Sequence, residues 1–316
     1  MSGSDADGSE PTIEKAGEWE GEPGGARGVD REGEPGGGGA RMMNPVDPTP
    51  LGVPLFALDA FTKDDDLKAA AAFGISFPPS GWDPTFRAWA VATEFAAVSG
   101  WQDRALQIDP GKPDDSEATL AAEIKTLLGY MVRQPSDKFP APRARFQEET
   151  VVQAVDFLPY FYAATGSTGL ARPATRQLIV AAHFVAGSVA AYYKLQHNRA
   201  RPSQVFPWLF PRLQVPGHAS YPSGHALQAT VIARALRLVV PVQVANVCGA
   251  LAERVGLMRE YAGLHWPSDT MASKTMAPKV LFALGKTPSF CKVANDAATE
   301  WGAQKPYEDP RPVTGA

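Results

Sequence analysis

The residues best able to do chemistry fall into three short clusters between Lys194 and Asp269. The first reads Lys194-Leu195-Gln196-His197-Asn198-Arg199-Ala200-Arg201-Pro202, with Lys194 and Arg201 seven positions apart. The second is Tyr221-Pro222-Ser223-Gly224-His225. In the third, Arg259 precedes His265 by six positions and Asp269 follows His265 by four. Together they supply three cations (Lys194, Arg201, Arg259), the Ser223 hydroxyl, a glycine turn at Gly224, the imidazoles of His225 and His265, and the Asp269 carboxylate. A tetrahedral or trigonal-bipyramidal oxyanion calls for that set: fixed positive charge, backbone N–H donors, one nucleophile and one proton donor.

Local context shows how the elements must hold them. Lys194 closes a long apolar helix expected over 176–194. Arg201 leaves it, because the following Pro202 biases its predecessor toward extended dihedrals. Ser223 is placed to cap the next helix, whose free first-turn N–H groups would face an anion. Arg259 and His265 flank the turn Ala262-Gly263, so both could reach one ligand. The four-residue step from His265 to Asp269 suits a carboxylate that accepts from Nδ1–H and leaves Nε2 free.

The clusters match, position by position, the signature K-x6-RP, PSGH, SR-x5-H-x3-D. In this the chain resembles the superfamily of type 2 phosphatidic acid phosphatases, bacterial non-specific acid phosphatases and vanadium-dependent haloperoxidases. Met258 stands where the family usually has Ser. The resemblance covers the latter half of the chain. It implies an all-α helical bundle with the site between helices, His265 as nucleophile, His225 as acid–base and Asp269 as the group that orients His265. Lys194, Arg201, Ser223, Gly224 and Arg259 would hold a phosphate. A phosphatase of this kind needs no cofactor; its substrate would be a small phosphorylated molecule. The same residues could instead hold vanadate, with His265 as its axial ligand, and the partners would then be a halide and peroxide. His218, seven positions before His225, resembles a second histidine of vanadium bromoperoxidases; equally, it is a loop histidine at the pocket mouth. Phosphatase ranks ahead of haloperoxidase.

Composition narrows the rest. Residues 1–45 carry ten acids against four bases and repeat Glu-Gly-Glu-Pro-Gly-Gly at 20–25 and 32–37. Such a segment has too little apolar surface to offset its ordering entropy, which predicts a disordered tail. The catalytic domain is expected over 46–303 and a flexible tail over 304–316. No basic stripe with interleaved aromatics is present, which argues against nucleic acid as partner. Cys248 and Cys291 lack metal spacing and read as buried thiols. No secretory leader is recognised. The longest apolar stretch, 177–193, falls short of the ~20 residues of a span, so a cytoplasmic protein without a transmembrane segment is expected. A homo-oligomer is compatible with all of this.

Periodicity supplies the helices. Asp83-Pro84 starts one, with Phe86, Trp89, Ala90, Thr93 and Ala97 on one face. A second opens at Asp115-Ser116-Glu117, and a third runs from Arg143 to about Ala164 with a kink at Pro159. A short helical patch is expected at 64–73, and further helices at 224–239, 242–261, 268–284 and 290–302. His183 reads as a core histidine, and His197 as a surface group or one behind the site. Phe206, Trp208, Leu209 and Phe210 read as core, while Glu253, Arg254 and Glu260 read as a solvated helix face.

Overall fold

The computed structural model describes Phe77 and residues 81–98, 101–102, 106–132, 143–168, 171–211 and 213–308. All of them belong to the compact unit Ile75–Ala316. The expected tail over 1–45, the patch at 64–73 and the stretch 309–316 lie outside the described residues. Among the described residues there are helices and no strand, as an all-α bundle requires. In chain order the helices are α1 (Pro84–Ala96), α2 (Glu117–Val132), α3 (Arg143–Val155), α4 (Leu158–Thr165), α5 (Pro173–His197), α6 (Pro202–Val205), α7 (Gly224–Arg237), α8 (Val242–Tyr261), α9 (Pro267–Leu284) and α10 (Pro288–Glu300).

Two helices organise the packing. Helix α7 lies against α5, α8 and α9, and buries Leu227, Val231, Ile232 and Leu236 among them. Helix α5 lies against α1, α7 and α10. Its buried face is rich in alanine (Ala181, Ala182, Ala186, Ala190), which lets neighbouring backbones approach closely. The start of α5 is capped from across the bundle: Glu300 of α10 accepts from the Ala174 N–H at 2.7 Å and the Thr175 N–H at 2.9 Å. A carboxylate there satisfies two orphan donors and complements the positive end of the helix dipole. At the other end Asn198 adopts the left-handed conformation (φ 46°, ψ 39°), which asparagine tolerates better than most residues.

Several expectations are corrected. Helix α1 does start at the Asp83 cap, which accepts from Thr85 N–H at 2.8 Å. Its buried residues, however, are Ala88, Val91 and Phe95. Phe86 and Trp89 stand outside, edge to face at 5.0 Å. A 3.6-residue period fits either arc, and packing on α5 selects the arc carrying the small Ala88. The helix expected over 143–164 is not kinked but broken at Asp156-Phe157. Asp156 accepts from Leu158 N–H at 2.9 Å, and Pro159 sits in the first turn of α4, where its missing donor does no harm. The tail expected from residue 304 is docked as far as Tyr307, whose N–H and C=O bond the Asn295 side chain. Glu260 is buried rather than solvated, and burial pushes its carboxyl up to about 6. Arg254 does pair with Glu149, and Lys274 with Glu253. Leu209 is core, whereas Trp208 and Phe210 are exposed. Both cysteines are buried free thiols.

Helix α5 also extends beyond the apolar stretch 177–193. Among the described residues, Pro173–Val205 is long and apolar enough to cross a membrane by length and composition alone, and 61% of its apolar window is buried in the bundle. A core helix shows that burial as well.

Two glycines of α8 give a contrast. A Cβ on Gly256 would meet Thr270 Cγ2 of α9 at 2.9 Å and the Ala226 Cβ of α7 at 3.4 Å, whereas a Cβ on Gly249 meets nothing within 4 Å. We expect Gly256→Val to lower stability by about 2 kcal/mol through overpacking. Gly249→Ala should raise it by ~0.5–1 kcal/mol by restricting the unfolded chain and favouring helix. Thermal or denaturant unfolding of the two variants checks the opposite signs.

Candidate active site

The three clusters meet because each sits at a helix end. Lys194 lies in the last turn of α5, and Arg201 follows the reversal at Asn198. Gly224 and His225 open α7, Arg259 lies in the last turn of α8, and His265 follows the turn at Gly263 (φ 71°). Lys194, Arg201, Gly224, His225, Arg259 and His265 line one cavity of about 830 Å³, and His218 lines it too. Ser223 adjoins it, fully buried, and Asp269 stands behind His265. Apolar side chains, among them Ala154, Ala190, Leu195 and Leu213, form much of the remaining wall. His183 and His197 lie outside this wall. His183 packs on Phe157 and His197 bonds Asp109 at 2.9 Å.

The cations are held by carbonyl oxygens. Lys194 Nζ donates to Ala219 O at 2.8 Å and Ser220 O at 2.7 Å. Arg201 donates through Nη1 to Leu264 O at 2.8 Å and through Nε to His218 O at 3.0 Å. Arg259 Nη2 donates to Thr150 O at 2.7 Å. Among the described residues none of the three has a carboxylate within ion-pair distance. Of the buried side-chain polar atoms without a hydrogen-bond partner among the described residues, Arg259 Nε and Ser223 Oγ belong to these clusters. Ser223 does occupy the cap position of α7, but its hydroxyl does not cap the helix. Unspent donors, and cations with no carboxylate in direct contact, around one cavity are what an oxyanion would satisfy.

The same charge pattern shifts the titrating groups. Burial, then the neighbouring Arg201, brings Lys194 down to about 7. Burial takes Arg259 down to about 10. His225, half-buried against Phe157, falls to about 3, first through desolvation and then through Arg259 and His265. His265 is held well below its usual value by burial and by Lys194, Arg201 and Arg259. Both imidazoles are therefore neutral at pH 7 in the absence of an anion.

His265 is fixed from behind. Its Nδ1 bonds Asp269 Oδ2 at 2.9 Å, and that oxygen also accepts from Trp266 N–H at 3.1 Å. With Nδ1 as donor, Nε2 carries a free lone pair. Asp269 Oδ1 accepts from Arg199 Nη1 at 2.7 Å. Arg199 was not singled out from the sequence. It lies inside the first cluster, but its acidic partners Asp115 and Glu123 are far away in the chain, and nothing local points to them. His218 is exposed, with Nδ1 3.1 Å from Arg201 Nη2, so it stands beside one of the cavity's cations.

Residues 175–284 match the family model described as the PAP2 superfamily. The match covers about a third of the chain. It contains Lys194 to Asp269, and so every residue of the cavity's polar core. Similar solved structures include a transmembrane PAP2 type phosphatidylglycerolphosphate phosphatase from Bacillus subtilis, at 20% identity and a TM-score of 0.41, covering 64% of this chain and 94% of that one. Another is a bacterial vanadium-dependent iodoperoxidase, at 15% identity and a TM-score of 0.30, covering 67% of this chain and 52% of that one. This chain thus spans about half the length of the iodoperoxidase. No curated protein gives a significant match.

The depressed His225 has a measurable consequence. Its folded value of about 3 lies below the ordinary 6.5, so from pH 6.5 downward the unfolded chain takes up a proton that the folded one refuses. Stability is lost as pH falls through that window. Unfolding at pH 7 and at pH 4, without phosphate, should show a smaller loss for His225→Gln than for the native chain.

Proposed function

We propose that the protein is a metal-independent phosphoric monoester hydrolase working through a phosphohistidine. The observation that carries this reading is the set of buried cations, Lys194, Arg201 and Arg259, with no carboxylate partner among the described residues and with Ser223 Oγ and Arg259 Nε unspent beside them. A bound phosphomonoester would place its non-bridging oxygens on these groups and on the Gly224 N–H. His265 Nε2 attacks phosphorus; the N–P bond forms as the P–O bond to the leaving group breaks. Asp269 stabilises the imidazolium that develops. His225 passes a proton to the departing alkoxide, giving the free alcohol, and then takes one from the water that cleaves the N–P bond. Fixed cations stabilise the charge spread over the equatorial oxygens.

Because His225 is neutral in the free enzyme, the proton it delivers arrives with the substrate, as the monoester monoanion. The value of kcat/KM should therefore fall as pH rises through the second ionisation of the monoester, about pH 6. A rate that climbs steadily to pH 9 contradicts this.

A second reading rests on His218, which bonds Arg201 at the cavity. Vanadate fits the same donors: Lys194, Arg201, Ser223, Gly224 and Arg259 would hold its oxygens and His265 Nε2 its metal. When bound it supplies oxygen transfer from peroxide to halide. The deciding assay runs both chemistries on one preparation. Hydrolysis of p-nitrophenyl phosphate in EDTA, inhibited by vanadate and reduced more than ~10³-fold in His265→Ala, is the expected result. No hydrolysis, with halide oxidation once vanadate and peroxide are added, would establish the second reading instead. A cytoplasmic location belongs to this proposal too, and fractionation of expressing cells tests it.

A further inference from the structure

Hydrogen bonding behind the site continues past Asp269. Arg199 is buried, yet it is not part of the cavity wall. Its Nη1 donates to Asp269 Oδ1 and to Ser268 Oγ, each at 2.7 Å. Its Nε donates to Asp115 Oδ1 at 2.8 Å and its Nη2 to Glu123 Oε2 at 3.3 Å. Glu123, on α2, also accepts from Ser268 N–H at 2.6 Å and from Ser268 Oγ at 3.0 Å. The guanidinium carbon stands 5.1 Å from the centre of the Trp266 ring. Every nitrogen of Arg199 is thus engaged, and one of its bonds fixes the oxygen of Asp269 that His265 does not use.

We propose that Arg199, held in place by Glu123 and Asp115, is a positioning residue for His265. The inference rests on the reading of His265 as nucleophile. Asp269 is fully buried; burial pushes its carboxyl up, and the hydrogen-bonded Arg199 guanidinium pulls the other way, toward the ionised form. Ionised, it can only accept, so the proton of His265 stays on Nδ1 and the lone pair stays on Nε2. Without Arg199 the buried Asp269 would take up a proton and could itself donate to Nδ1. The imidazole proton would then sit on Nε2, where it blocks attack. Asp115 and Glu123 lie outside the segment 175–284, so this assignment carries the machinery into a part of the chain that the family match does not reach.

The test uses the full chain with Arg199→Met, Arg199→Ala and Glu123→Gln, each first checked for folding by its thermal transition. Arg199→Met should lower kcat for p-nitrophenyl phosphate by about 100-fold with KM changed less than ~3-fold, because the anion's own ligands are untouched. Guanidinium added to Arg199→Ala should recover part of that loss. Nitrogen NMR of the imidazole should place the His265 proton on Nδ1 in the native chain and on Nε2 in Arg199→Met. A folded Arg199→Met with native kcat, or with the native tautomer, overturns the proposal. So does a loss confined to thermal stability. Should Arg199→Met not fold, Glu123→Gln decides: about a 10-fold fall in kcat at constant KM supports the proposal and native kcat overturns it. The tautomer measurement needs no turnover. A native chain inactive on phosphomonoesters would refute the phosphatase reading, while the NMR result still decides the role of Arg199.

Discussion

The structure depends on keeping positive and negative charge on opposite sides of one imidazole. In front of His265, Lys194, Arg201 and Arg259 are oriented by carbonyl oxygens of Ala219, Ser220, Leu264 and Thr150. Carbonyl dipoles fix direction without cancelling charge, so the cations keep most of their field for a guest. A carboxylate in any of those places would compete with the anion. Behind His265 the order is reversed: Asp269, Glu123 and Asp115 gather around the single cation Arg199. The imidazole ring is the boundary between the two sets.

Helix ends make that segregation less costly. Lys194 and Arg259 occupy the last turns of α5 and α8, where the dipole favours cations. Gly224 opens α7, a 14-residue helix whose first N–H groups favour an anion. No single helix could offer all three, because a terminus has one polarity. The bundle solves this by converging termini of both polarities on one cavity, while α7 serves as the common packing partner of α5, α8 and α9.

Much of this was legible in the sequence, for identifiable reasons. Helix α8 is legible over 242–261 because the turn Ala262-Gly263 is a local stop signal. The polar core of the cavity was legible because fixed spacing within three clusters restricts where side chains can point. What escaped depended on distant partners. The buried arc of α1 is chosen by the surface of α5, and the fate of Glu260 by what lies over α8. The role of Arg199 is not legible locally, since Asp115 and Glu123 are 84 and 76 residues away. The break between α3 and α4 is ambiguous in the sequence for a local reason. Pro159 suits a kink within one helix as well as the first turn of a new one, and the structure has the second.

The Glu300 clamp on α5 extends this beyond the cavity. Helix α5 has 25 residues, a rod of roughly 37 Å, with the clamp at one end and Lys194 near the other. The clamp is reinforced where Arg172 lies over Trp301, 4.0 Å from its ring centre, and where Trp301 Nε1 donates to Thr175 Oγ1 at 3.1 Å. Shortening the protein from its C-terminal side to before residue 300 would leave the Ala174 and Thr175 N–H groups at the root of that rod without their acceptor. Helix α10 thereby caps the helix that carries Lys194, although none of its residues lines the cavity.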